Sequence, residues 1–199
     1  MESILVEQSP HAPVVAQAPL IAGVGLASPA LQVSQADVLD FVVRRFGLSP
    51  AAEVLYRRTL GNAAIDTRHF AMASLDEALE TDPDRVVARF QRAGTELSVE
   101  ALRLALADAH AAPAAVDFLV LATCTGYLCP GLSSYVLERA GLRRDVRVAD
   151  LVGMGCGAAI PALEQASNFV RANPGAVAAV VCTEICSAAF FASEDPDIV

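Results

Sequence analysis

A single cysteine framed by glycines, Gly155-Cys156-Gly157, closes the apolar run that begins at Asp150 and opens a second apolar run at Ala158. A strand-like segment that ends in such a turn and continues as a helix delivers one side chain to a sharp corner. This is the arrangement of a nucleophile elbow, with sulfur in place of oxygen. Glycine on both sides permits backbone angles that a Cβ forbids. The free N–H groups and dipole at a helix start favour a thiolate and suit the oxyanion formed when a thioester carbonyl is attacked. From spacing alone a second reading stands beside this one: a small hydrophobe packed in a Gly/Ala-rich turn.

The 199 residues allow one sizeable domain or two small ones, and 54% hydrophobic content indicates a well-buried protein. Fourteen basic against 23 acidic residues give a charge of −9, which disfavours nucleic acid as a partner. Five cysteines with no repeating spacing and no C-x-x-C pair fit neither a disulfide framework nor a zinc site, so no metal is expected. Reduced thiols in the cytoplasm fit best. Ser9 to Ala36 lacks charged residues, but prolines at 10, 13, 19 and 29 break it, so no membrane association is expected.

Residues 1–18 read as an extended, proline-punctuated arm ahead of one domain over 19–199. Pro19 to Leu26 reads as a first buried strand. Gly23-Val-Gly25-Leu-Ala-Ser28 is a weak dinucleotide fingerprint, because Pro29 interrupts any helix behind it. Helices are expected over Ser34–Phe46, capped by Ser34 with Val38, Leu39, Val42 and Phe46 inward, and over Pro50–Leu60, started by its proline. A third is expected over Ser98–His110, with Leu102, Ala105, Leu106 and Ala109 inward, and a short one over Pro130–Arg139. Val116–Ala122 is a continuous apolar run typical of a strand covered on both faces. Strands at Val146–Val152 and Ala176–Cys182 flank a helix over Ala158–Arg171, in whose first turns Pro161 is expected to introduce a kink. Strands alternating with helices define a mostly parallel α/β layer structure.

Four segments occur in order: Thr67-Arg68-His69-Phe70, Leu121-Ala-Thr-Cys124-Thr-Gly126-Tyr-Leu-Cys129-Pro130-Gly131, the Cys156 elbow, and Val180-Val-Cys-Thr-Glu184-Ile-Cys186. Together they resemble the N-terminal half of the chalcone/stilbene synthase family, the type III polyketide synthases of the thiolase superfamily, over roughly Pro19 to Val199. The resemblance implies a thiolase-like α-β-α layered fold. It also implies an acyltransferase that loads an acyl group from coenzyme A onto Cys156 and extends it by decarboxylative condensation with malonyl-CoA. No cofactor is needed beyond the coenzyme A thioesters.

By the same resemblance, the loop Cys124 to Gly131, with Thr125 and Cys129, lines the acyl cavity and reaches the partner subunit of a homodimer. Cys124 stands where plant members carry threonine and is similar to bacterial members. Cys186 matches another cavity-wall position, and Glu184 a structural, near-buried acid. Arg58 matches a position that contacts coenzyme A phosphates. The two accompanying lysine positions are Leu55 and Asn62 here, and Arg57 is a substitute; a solvated helix end is the other reading of Arg57 and Arg58. His69 is not expected to act as base, because the family's catalytic His and Asn come from a second half, beyond Val199. The 199 residues alone are therefore expected to be catalytically poor. The CTGYLCPG and GCGAA stretches most resemble bacterial members that build small dihydroxyphenyl products. The competing readings are a ketoacyl-ACP synthase III relative, a non-catalytic partner subunit of the same fold, and a dinucleotide-binding protein using Gly23 to Ser28.

Overall fold

A computed structural model describes residues 18–61 and 64–190. The expected arm over residues 1–18 lies almost entirely outside the described residues. Three parallel strands form the centre: β3 (Val116–Thr123) lies between β4 (Arg147–Val152) and β5 (Val177–Cys182). Leu121 faces Asp150 on one side and Val181 on the other. Leu119, Val120 and Leu121 have no solvent exposure, because helices cover both faces of β3. Leu119 and Leu121 pack with Phe90, Leu102 and Leu106 of α3 (Pro83–Asp108) and Leu132 and Val136 of α4 (Leu132–Arg139). Val120 and Ala122 pack with Ala162 and Ala166 of α5 (Ala159–Ala172). Each fully buried Leu or Val among these contributes about 1.5–3 kcal/mol.

A second cluster joins α1 (Gln35–Arg45), α2 (Pro50–Leu60) and an antiparallel ribbon of β1 (Leu31–Ser34) and β2 (Thr67–Phe70) around Val38, Val42, Tyr56 and Phe70. Both helices start as their sequences dictate. Ser34 Oγ accepts from Asp37 N–H at 3.0 Å, and Ser49 Oγ accepts from Ala52 N–H at 3.3 Å with Pro50 in the first turn.

Four expectations are corrected. The third helix is 26 residues long and starts at Pro83, where the Asp82 carboxylate accepts from Asp84 and Arg85 N–H. Pro161 falls in the first turn of α5, where its missing N–H has no helical partner to lose, and the helix runs on unbroken to Ala172. Among the described residues β5 pairs with β3 alone, and only Val181 of its six residues is buried, so it is not the covered strand that its apolar run over Ala176–Cys182 suggests. Pro19–Leu26 is extended but pairs with no strand among the described residues, and Leu20, Ile21, Val24 and Leu26 are exposed.

Gly23 and Gly25 are the reason that segment lies where it does. A Cβ on Gly25 would stand 2.1 Å from the Ala101 carbonyl oxygen, and one on Gly23 would stand 2.4 Å from that of Ala105. These glycines permit backbone-to-backbone contact with α3, and the Val24 N–H donates to Asp108 at 2.9 Å. No helix opens behind them, so they cradle no phosphate and the dinucleotide reading fails. Gly25→Val is expected to lift the segment off α3 and cost about 1–3 kcal/mol, measured as a lower urea midpoint.

Among the described residues, no helix is long and apolar enough to cross a membrane.

Candidate active site

The three parallel strands end at one edge of the sheet, and backbone pairing continues just past them. Gly153 N–H donates to Thr123 O at 3.2 Å, and Thr183 N–H donates to Ala122 O at 2.9 Å. Three loops therefore leave the same edge: Cys124–Gly131 after β3, Gly153–Gly157 after β4, and Thr183–Ala189 after β5. In an open parallel sheet this C-terminal edge is where ligands bind.

Cys156 lies at the centre of a single 3₁₀ turn, Gly155–Gly157, that leads through Ala158 into α5, and it is exposed. The positive backbone angles fall on Gly153 (φ 77°) and Gly155 (φ 66°), which are the two positions where a side chain would be strained. Gly157 needs no such freedom, so the expected glycine on both sides becomes two glycines ahead of the thiol.

Glu184 joins two of the loops. One carboxylate oxygen accepts from Cys124 N–H at 2.7 Å, the other accepts from Thr125 Oγ–H at 2.5 Å, and Thr125 Oγ accepts from Ile185 N–H at 2.9 Å. The acid is exposed rather than near-buried, but it holds the hydrogen bonds expected of it. The Cys124 thiol is pushed above its ordinary range, first by its hydrogen bond to Glu184, then by desolvation and by that carboxylate's charge. The neighbouring Cys156 and Cys186 thiols add smaller contributions in the same direction. Cys124, Cys156 and Cys186 thus share one electrostatic environment, with Thr125 beside them. Glu184→Gln removes the charge that opposes the Cys124 thiolate. Alkylation of Cys124 is therefore expected to run faster at about pH 8, its pH profile moving to lower pH.

The other expected site residues stand elsewhere. Cys129 is exposed further along the same loop. Cys124, Cys129 and Cys186 are all exposed. Arg58 is exposed on α2, which packs on α1 and not on the central sheet. Arg57, beside it, is paired with Glu53 at 2.6 Å on the same helix. His69 belongs to the β1–β2 ribbon, where its Nδ1 lies 2.7 Å from Pro29 O. Among the described residues, no group of three His, Cys, Asp or Glu could hold a metal ion.

Two contributors escaped the sequence reading. Asp150 of β4 accepts from the N–H and hydroxyl of Ser133, supplying the cap that the start of α4 lacks from its own Gly131. A Cβ on Gly131 would meet that carboxylate at 2.6 Å, so Asp150 fixes the end of the Cys124–Gly131 loop. Phe90 of α3 lies directly beneath Gly126 in the same loop. An isolated acid in an apolar strand was the available signal for Asp150; nothing in the sequence marks Phe90.

A thiol on a strand-to-helix turn at the C-terminal edge of a parallel sheet covered by helices on both faces places the chain among layered α/β proteins. Residues 26–198 match the family model described as FAE1/type III polyketide synthase-like protein, and the chain belongs to that family. It is 34% identical to the alpha-pyrone synthesis polyketide synthase-like Pks18 of Mycobacterium tuberculosis, with 96% of this chain and 50% of that protein aligned. It is 33% identical to a 3,5-dihydroxyphenylacetyl-CoA synthase of Streptomyces toyocaensis, over 86% of this chain and 43% of that protein. The solved type III pentaketide synthase of Neurospora crassa superposes with a TM-score of 0.76 at 28% identity, covering 84% of this chain and 46% of that one. The fold is accordingly thiolase-like, and the chain spans about half the length of the curated relatives it matches.

Proposed function

We propose that the protein is a type III polyketide synthase whose acyl carrier is Cys156. The Cys156 thiolate attacks an acyl-CoA carbonyl, a C–S bond forms, and coenzyme A leaves. Malonyl-CoA then loses CO₂, and its α-carbon attacks the enzyme-bound thioester. The new C–C bond releases the Cys156 thiolate, leaving the lengthened chain on coenzyme A for reloading. No metal or redox group takes part in this sequence. The base and the donors that steady the enolate are expected on the part of the family fold that this chain does not span. Cys124, Thr125 and Cys186 would form the acyl pocket wall, Cys129 its far end, and Arg58 a contact for the coenzyme A phosphates.

The observation that carries this reading is the gathering of the Cys156 turn with Cys124, Cys186 and Glu184 at one sheet edge. The same reading makes the protein a cytoplasmic homodimer, with the Cys124–Gly131 loop, whose Tyr127 is 75% exposed, reaching the second subunit. Small dihydroxyphenyl compounds are the product class it favours, by similarity to the Streptomyces relative. The test is incubation of the intact protein with acyl-CoA, followed by peptide mass mapping. An acyl adduct on the Cys156 peptide supports the reading; an adduct confined to Cys124 or Cys186 moves the nucleophile.

A further inference from the structure

Arg89 is the one charged residue among the described residues that is buried, at 5% exposure. Its position on α3 carries its guanidinium between two short 3₁₀ segments that are remote in sequence. Nε–H donates to the carbonyl oxygen of Ala188 at 2.8 Å, and Nη1–H donates to that of Glu77 at 2.6 Å. Nη2 is buried with no partner. Taking a guanidinium out of water is costly, and an apolar side chain of similar volume would fill the same space at less cost. A planar fork that holds two carbonyls at fixed positions is what an apolar side chain, or lysine, does not provide.

The segment it holds is Cys186–Ala189, directly after Glu184 and Ile185. That segment has a second tie, in which Ala71 N–H donates to Ser187 Oγ at 3.0 Å. Ile185 packs into the core beside Gly94 of α3. Arg89 and Ser187 therefore set the height of Cys186 above the sheet, while Glu184 sets that of Cys124 across from it.

We propose that Arg89 is a positioning residue that fixes the Cys186 wall of the acyl pocket and so determines how many extension units the pocket accepts. The proposal rests on the polyketide synthase reading for its chain-length consequence, whereas the placement of Cys186 does not depend on it. With one carbonyl released, the Cys186–Ala189 turn is no longer held at one height, and the chain length that the pocket accepts changes.

The test uses the intact protein with Arg89→Gln, Arg89→Lys and Ser187→Ala, each checked by circular dichroism to be folded and assayed below its own melting transition. The products made from acyl-CoA and malonyl-CoA are resolved by mass, and iodoacetamide labelling of Cys186 is followed against Cys129. A product ladder shifted by one or more units is expected, with the KM for malonyl-CoA unchanged and the Cys186 labelling rate raised roughly threefold or more. The shift should be largest in Arg89→Gln and smaller in Arg89→Lys, which keeps the charge but not the fork. An unchanged product ladder and unchanged Cys186 labelling in a folded variant overturn the proposal. Should Arg89→Gln not fold, the same readouts in Arg89→Lys and Ser187→Ala decide it. A wild-type protein that makes no polyketide rejects the synthase reading and the chain-length role with it; Cys186 labelling then still reports whether Arg89 places that turn.

Discussion

Cys156→Ala in the intact protein is expected to remove acyl loading altogether and to lower product formation on the order of 10³-fold or more. The size of the effect follows from the division of labour at the sheet edge. Cys156 is the thiol on the turn into α5, with glycines at the two positive-φ positions ahead of it forming the corner. Cys124 is the poorer nucleophile of the two by this proposal, because the Glu184 carboxylate beside it opposes the thiolate that attack requires. Cys156→Ser should fall nearly as far as alanine, since the hydroxyl ionises at far higher pH than the thiol and would need a strong adjacent base. Cys124→Ala should keep loading and alter only which acyl groups are accepted. Intact-mass detection of the acyl adduct separates these outcomes: substantial loading in the alanine variant would place the nucleophile on another residue.

How far the sequence reaches can be judged from individual elements. The starts of α1 and α2 were legible because Ser34, and Ser49 with Pro50, are local signals that need no tertiary context. β3 was legible because a strand covered on both faces must be apolar along its covered length, and Phe118–Ala122 is, with the one acid, Asp117, near its start. The Cys156 turn was legible because a thiol framed by glycines between two apolar runs has few structural uses, although the positive angles fall on Gly153 and Gly155 and not on Gly157. The first half of α3 was not, since Gly94 inside it reads as a breaker. In the structure that glycine lets Leu132 approach to within 3.3 Å of where its Cβ would be, a contact visible only after folding. Pro19–Leu26 has the composition of a buried strand, and its residues from Ala22 onward alternate between exposed and half-buried, yet burial also needs a neighbouring strand. Composition carries no record of that neighbour. Arg89 and Asp150 were missed for a related reason: each acts on backbone groups or side chains far away in sequence. Only the fold brings Ala188 to Arg89 and Ser133 to Asp150.

Leu121→Ala is expected to destabilise the protein by about 2–5 kcal/mol, with the melting temperature falling on the order of 10 °C. Leu121 has no exposed surface and lies on the central strand, two residues before the strand end that carries Thr123 and the Cys124 loop. Its cluster includes Phe90 and Leu132, each fixed by a separate helix, and Val181 on the neighbouring strand. No single neighbour is free to collapse into the vacated volume, so the cavity persists and the loss should fall in the upper part of that range. Val54→Ala, on the 67% exposed outer face of α2, is the matched control and should change stability by no more than about 0.5 kcal/mol. The Leu121 cavity also opens beneath Phe90, the ring on which Gly126 rests. Acyl loading measured well below the melting transition should therefore decline in Leu121→Ala although every thiol is intact. If loading stays at the wild-type rate while stability falls as expected, the loop is held by Glu184 and Asp150 alone, and the core beneath it contributes only to folding.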